Sequence, residues 1–280
     1  MDVFPDYNLA TKRLVTTQKQ LGDSSSNVVA TDALYDGLRT EFSVHEIDSS
    51  ATAEGLYAQG LAGAFQPSWS ADGSHIALGY GAWFFNRALY NGTLYLVDVQ
   101  ENGSSHKNIT DGSLNAGFPS FSPDGSKVVY RVWNGTPGPL GLHILDLRSG
   151  ETTRLTQGWD NTPGWSPDGE RIVFTRQTNW TVEYGSRWYE DRFDICTIKP
   201  DGSDYQVLTP SLSNDAHAVW ANDGRIMYSS GMYGFRDESA IYDNTFQPDG
   251  QIMVMNVDGS NKTMLTDSMW EDSMPLFVWR

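Results

Sequence analysis

Three aspartates, Asp160, Asp215 and Asp272, each stand three residues before the same position of a recurring segment, and His217 follows the second of them by two residues. Carboxylates repeated at one level of a repeat architecture could gather around a common opening. There they could hold a hard cation such as calcium through oxygen ligands, or face one another across a sugar as an acid/base pair. His217 adds an imidazole that titrates near neutrality, suited to a general base or a metal ligand, and Arg236 would add a positive charge. The other copies carry Phe65, Phe118, Thr162 and Met274 where His217 stands, so the imidazole is singular. The plainer reading, in which each aspartate caps its own loop, is at least as strong, because scaffold residues recur in every repeat and a catalytic residue does not. The five histidines, at 45, 75, 106, 143 and 217, are too scattered for a multi-histidine site. No cofactor is expected, a divalent cation on Asp160, Asp215 and Asp272 being the alternative.

A second set of residues points to recognition. Trp83, Tyr90, Trp133, Trp180, Arg187, Trp188, Tyr189, Tyr233 and Arg236 fall in or beside the longest connections between apolar segments. Trp, Tyr and Arg are the side chains most enriched at binding hot spots, and long loops on one side of a rigid scaffold are where binding surfaces are built. The competing reading packs these rings against one another.

Both sets are positioned by an internal repeat. Pro67-Ser-Trp69-Ser-Ala-Asp72-Gly73 recurs as Pro119-Ser-Phe121-Ser-Pro-Asp124-Gly125, as Pro163-Gly-Trp165-Ser-Pro-Asp168-Gly169 and, more loosely, as Ala218-Val-Trp220-Ala-Asn-Asp223-Gly224. The aromatic residues are 52, 44 and 55 residues apart, and Pro275-Leu-Phe277-Val-Trp279 begins a fifth copy. A second motif follows each first one: an apolar run, a polar Gly turn and then Ile109-Thr110, Leu155-Thr156, Leu208-Thr209 or Leu265-Thr266. In Ser-Pro-Asp-Gly, proline pre-sets φ, the aspartate accepts from nearby amides and glycine takes positive φ, which makes a tight hairpin. Each unit reads as four short strands, A to D, with no convincing helix.

Four antiparallel strands per 40 to 50 residues are the signature of a β-propeller. The motifs resemble the TolB-like, WD40-like (PD40) propeller repeat over residues 65–280, with Ala218 and Ala221-Asn222 departing from its pattern. The expected fold is an all-β propeller of four-stranded blades, with repeats starting near 67, 119, 163 and 218. Five blades are expected, the ring closing by pairing 275–279 with strands drawn from 26–62; a fragment of a six- or seven-bladed ring is the alternative. Residues 1–25 read as an N-terminal arm before a single domain at 26–280. The resemblance implies little about activity, since similar propellers serve as periplasmic binding proteins, as gating domains of prolyl-oligopeptidase-type enzymes and as the body of oligogalacturonate lyases. The lyases use histidines and an arginine at the propeller mouth with a divalent ion.

Charge narrows the partners. With 35 acidic and 19 basic residues the formal net charge is -16, which disfavours nucleic acid and anionic lipid. No run approaches the roughly 18 apolar residues of a membrane span, and a monomer is expected. Cys196 is the single cysteine, so no intramolecular disulfide can form; it reads as a core residue. Six Asn-x-Ser/Thr triplets, at 91, 102, 108, 134, 179 and 261, stand against about 2.6 expected by chance. They favour an extracellular or secretory setting. The N-terminus lacks the basic and apolar regions of a signal peptide, which favours the cytoplasmic alternative unless Met1 is a mature or truncated start. No Gly-x-Ser-x-Gly elbow or His-Glu-x-x-His occurs in these residues. The expectation is a non-catalytic module that binds a protein or glycan through the face bearing the long B–C loops. The alternative is a carbohydrate-active lyase or hydrolase using His217 with Asp215, Asp160 or Asp272 and Arg236.

Overall fold

Short apolar runs punctuated by Asp-Gly turns fold as strands in the computed structural model, all paired antiparallel except for a short parallel pairing of Ser25 and Ser26 with Ala62 and Gly63. The structure describes residues 2–18, 25–32, 39–43, 62–81, 92–99, 105–133, 140–179, 182–184, 187–189, 192–210, 213–233, 250–267, 272 and 274–277. The chain begins with β1 (Asp2–Asn8), β2 (Arg13–Gln18), β3 (Ser25–Asp32) and β4 (Arg39–Phe42), each antiparallel to the one before. Four complete blades follow. The first holds β5 (Ala62–Trp69), β6 (His75–Gly81), β7 (Thr93–Asp98) and β8 (Ser105–Asn108). The second holds β9 (Asn115–Phe121), β10 (Lys127–Trp133), β11 (Gly141–Asp146) and β12 (Thr152–Arg154). The third holds β13 (Asp160–Trp165) and β14 (Ile172–Asn179), then an inserted hairpin of β15 (Val182–Tyr184) and β16 (Arg187–Tyr189), then β17 (Arg192–Ile198) and β18 (Gln206–Val207). The fourth holds β19 (Asp215–Trp220), β20 (Ile226–Ser230), β21 (Gln251–Met255) and β22 (Thr263–Met264). Among the described residues the helical content is one 3-10 turn, Gly231–Tyr233.

The A–B turns follow the chemistry of their sequence. Asp72, Asp124 and Asp168 each take a serine hydroxyl at 2.6–2.7 Å and a backbone N–H at 3.0 Å on Oδ1. These donors hold the Asp72 and Asp124 carboxyls down to about 2. The turn glycines Gly73, Gly125, Gly169 and Gly224 all have φ between 70° and 83°, a region that costs a residue with a Cβ about 1–2 kcal/mol.

A second regularity lies inside strand A. Gln66, Phe118, Thr162 and His217 have φ of 45–55°, each at a register shift in its A–B ladder. A left-handed residue at a bulge bends the strand and raises its twist. Three of the four precede a proline, so the position equivalent to His217 in the first blade is Gln66 and not Phe65, one residue along from where the motif alignment places it. Phe4, before Pro5, repeats the conformation in β1 with φ 54°.

The contacts gather into two compact units, Met1–Arg154 with Val278–Arg280, and Leu155–Phe277. In the first, Val15, Phe42, Trp69, Ile76, Leu78 and Val97 form one core, and Leu94, Tyr130, Val132 and Leu145 another. In the second, Val173, Ile195, Leu208, Ile226, Tyr228 and Met255 pack together with Trp220. Each large side chain so buried contributes about 1.5–3 kcal/mol.

Two expectations change. Residues 1–25 supply β1 and β2, where an arm was expected. Val15 is fully buried, Asn8 donates to the carbonyls of Ser70 and Ala71, and Asp6 accepts the Trp69 N–H at 2.7 Å. The five-bladed closure is not formed in the described residues either: β3 pairs with β2, and Pro275–Phe277 carries no strand. Most of the segments expected to complete the last repeat, 42–47 and 55–59, lie outside the described residues, and β3, drawn from the same stretch of chain, is paired with β2 and β4.

Candidate functional site

Asp160 opens β13, and its carboxylate is fully consumed. Arg176, paired with it across β13–β14, donates from Nε to Oδ1 at 2.6 Å and from Nη2 to Oδ2 at 2.8 Å, and Thr156 Oγ1 also donates to Oδ2. The Asp160 side chain is 0% exposed. The guanidinium is itself sandwiched, 4.6 Å from the Tyr205 ring centroid and 5.2 Å from that of Phe174. Both Asp160 oxygens are thus engaged by Arg176 and Thr156 on a side chain closed to solvent, which is the arrangement of a structural ion pair.

Asp215 opens β19 in the same way. It is 2% exposed and is held by hydroxyls of Ser230, Thr209 and Ser213, with the Ser213 contact at 3.1 Å. Burial pushes its carboxyl above the usual aspartate range, the hydroxyls oppose that rise, and the nearby charge of Asp194 reinforces it. Asp272 is half-buried, and its backbone N–H donates to the Gly250 carbonyl at 2.9 Å. Among the described residues no three His, Cys, Asp or Glu side chains converge as a metal site. Two of the three aspartates meet the threonine of the preceding Leu-Thr pair, Asp160 with Thr156 and Asp215 with Thr209, whereas Thr266 donates to Gln251 Oε1 at 2.9 Å. Thr110, Thr209 and Thr266 accept the strand-C N–H of Leu94, Ile195 and Ile252. The signal in the sequence is an aspartate four to six residues beyond the threonine of each Leu-Thr pair.

His217 is 9% exposed at the bulge of β19, with φ 54°. The equivalent Thr162 places its hydroxyl 3.1 Å from that of Thr175. Cys196 is buried on β17 with its Sγ 3.3 Å from the Tyr205 hydroxyl, and desolvation pushes its thiol up to about 12. A thiol so protonated is not a nucleophile at neutral pH.

The recognition residues divide. Trp133 is 4% exposed and packs with Phe65 and Phe118, with the Arg131 guanidinium 5.2 Å from its ring centroid. Its indole presses so closely on Gly92 and Gly117 that a Cβ at either would meet it at 3.1 Å. Trp133 is therefore a core residue and not part of a binding surface, because it closes β10 where that strand still faces its neighbours. Arg187, Trp188 and Tyr189 form β16, in the hairpin between strands B and C of the third blade. Tyr233 ends the 3-10 turn after β20. Trp83, Tyr90, Trp180 and Arg236 lie outside the described residues.

In each blade's meander, the A–B and C–D turns leave one end of the sheet and the B–C connections the other. The A–B turns span 70–74, 122–126, 166–171 and 221–225, against B–C connections of 82–92, 134–140, 180–191 and 231–250. Chain length and the inserted hairpin are thus concentrated at the B–C end of the sheets.

Comparison with known proteins places this geometry. A family model described as the TolB beta propeller domain (PD40) matches residues 27–181. An uncharacterized protein of Agrobacterium fabrum is 28% identical over 154 residues, 51% of this chain and 50% of that protein. The Tol-Pal system protein TolB of Francisella tularensis is 31% identical over 100 residues, 31% of this chain and 22% of that protein. The chain therefore matches half or less of the length of these relatives. Among solved structures, a TolB-type protein of Agrobacterium tumefaciens superposes with a TM-score of 0.67 at 19% identity, covering 95% of this chain and 80% of that one. An oligogalacturonate lyase in complex with manganese superposes with a TM-score of 0.53 at 15% identity, covering 94% of this chain and 66% of that one. At these identities the likeness to solved structures is one of fold.

Proposed function

The chain belongs to the TolB β-propeller (PD40) family, and from that premise we propose that it is a non-catalytic binding propeller that recognises a protein partner at the B–C end of its blades. The observation that carries this reading is the contrast between the two candidate sets. Asp160 and Asp215 are buried in structural hydrogen bonds, whereas Arg187, Trp188 and Tyr189 stand on a hairpin inserted between strands B and C. Scaffold residues that satisfy each other leave no acid/base pair, while an inserted hairpin rich in hot-spot residue types has no role in completing its blade. The Francisella relative is named as a protein of the Tol-Pal system, which we take as favouring a protein over a glycan. A setting outside the cytoplasm goes with the same reading and with the six Asn-x-Ser/Thr triplets.

The test compares the immobilised chain with its Trp188→Ala/Tyr189→Ala variant, in parallel on a protein extract of the source organism and on a glycan array. Proteins retained by the wild type and lost by an equally stable double variant are expected. Retention that is identical for both, or selective retention of glycans alone, counts against the reading. Turnover of oligogalacturonate that disappears in His217→Ala would remove the word non-catalytic.

A further inference from the structure

Between the outer strands of the first two blades lies a groove of about 530 Å³ that belongs to neither candidate set. This lies within the range of roughly 300–1,000 Å³ usual for small-molecule sites. Its floor is apolar, with Leu96, Ile109, Leu114, Leu145 and Leu147, and its walls include Tyr130 and His143.

The groove exists because one repeat position is small here. The residue three before the Leu-Thr or Ile-Thr pair is a ring in the first and third blades, Thr152 in the second and Lys262 in the fourth. In the first blade it is His106, whose ring lies 5.6 Å from Phe42 and 6.0 Å from Tyr95. In the third it is Tyr205, which stacks 6.4 Å from Phe174 and brings its hydroxyl 3.3 Å from Cys196. Repeat alignment makes Tyr130 and His143 the counterparts of Phe174 and Cys196. The second blade therefore lacks the ring on its outer strand; Tyr130 lies 5.9 Å from His143 and shares a hydrogen bond with Thr152, and Val132 stands where the third blade has Arg176.

What remains is chemically specific. The Nε2 of His143 is buried with no hydrogen-bond partner among the described residues, at the counterpart of the atom that Tyr205's hydroxyl meets. Burial, helped by the charge of Arg154, lowers the pKa of this imidazole and favours its neutral form, which can accept a hydrogen bond at Nε2 when Nδ1 carries the hydrogen. At the rim stand Asp111 and Asp146, both held ionised by serine donors, Ser113 and Ser149. Asp146 also pairs with Lys127 at 3.5 Å, and Lys107 is the one cation among the lining residues.

We propose that this groove binds a phenolic amine: an aromatic ring in the place Tyr205 fills in the third blade, a hydroxyl donating to His143 Nε2, and an ammonium facing Asp111. A buried acceptor left unpaired favours ligands that carry the matching donor, and the carboxylates select the sign of the charge.

The probe is tyramine, titrated into the full chain and followed by amide chemical shifts and calorimetry. Tyrosol, with the same ring but no charge, and 4-hydroxyphenylacetate, with the opposite charge, serve as comparisons. Saturable tyramine binding with Kd of about 1 mM or tighter is expected for so small a ligand. Binding of 4-hydroxyphenylacetate should be at least about tenfold weaker, and tyrosol intermediate. Thr152→Tyr restores the ring from within and should abolish binding without lowering Tm. In the wild type, shift changes should centre on Thr152, His143 and Asp111, a readout that stands even if the variant fails to fold. No saturation, equal binding of amine and acid, undiminished binding to folded Thr152→Tyr, or shift changes confined to other blades would each overturn the proposal.

Discussion

Replacing Asp160 by alanine leaves the Arg176 guanidinium facing a hole, and its cost measures how far this carboxylate is scaffold. The pair is bidentate, at 2.6 and 2.8 Å, with the aspartate side chain 0% and the arginine 22% exposed. Removing one partner of a buried ion pair costs about 3–5 kcal/mol, because the remaining charge loses its compensation. Arg176 can turn its exposed edge toward water, so about 3 kcal/mol, the lower end of that range, is expected. Urea titration followed by tryptophan fluorescence gives the value, with Asp272→Ala as the control. Asp272 is half-buried and should cost about 1 kcal/mol or less. A double change completes the reasoning. Asp160→Leu with Arg176→Met replaces both charges by apolar groups and should be less destabilised than either single variant. If Asp160→Ala lies within about 1 kcal/mol of the wild type, or matches Asp272→Ala, Asp160 is not a structural residue and the site assignment fails.

Two further expectations follow from buried groups. Trp133→Ala empties the space between Phe65, Phe118 and the two glycines that touch it, and should destabilise by about 3–5 kcal/mol by urea denaturation; a near-neutral result would return Trp133 to the surface. Asp215 has its folded pKa raised by burial. Between the unfolded value near 3.8 and that raised value the folded state holds the extra proton, so stability falls as pH rises through this window and the cost persists above it. Asp215→Asn should flatten that dependence in Tm measured against pH, and an unchanged slope would show that another group carries it.

Much of this was legible in the sequence because turn chemistry is local. Ser, Asp and Gly at fixed offsets dictate a hairpin wherever they occur, and Asp124 and Gly125 do in the structure what their residue types require. The β1–β2 hairpin was missed because nothing local announces it. Its turn uses Lys12 at φ 56° in place of glycine, and it is tied down by long-range hydrogen bonds from Asn8 and to Asp6. Trp133 was misread for a related reason, since its burial depends on Gly92 and Gly117 allowing close approach, which spacing along one strand does not reveal. The sequence leaves two uses open for Asp160, that of a ligand or acid/base group and that of a loop cap. Arg176, sixteen residues beyond Asp160, decided between them through strand register.

The claim that the B–C end of the blades is a protein-binding face is tested most directly by site-specific photo-crosslinking in cells of the source organism. Benzoylphenylalanine would be placed at position 188, on the inserted hairpin, and in parallel at position 124, in an A–B turn at the opposite end of its blade. A discrete crosslinked protein from position 188 that is absent from position 124 is the expected result. No adduct at 188, or the same adduct from both positions, would contradict the account.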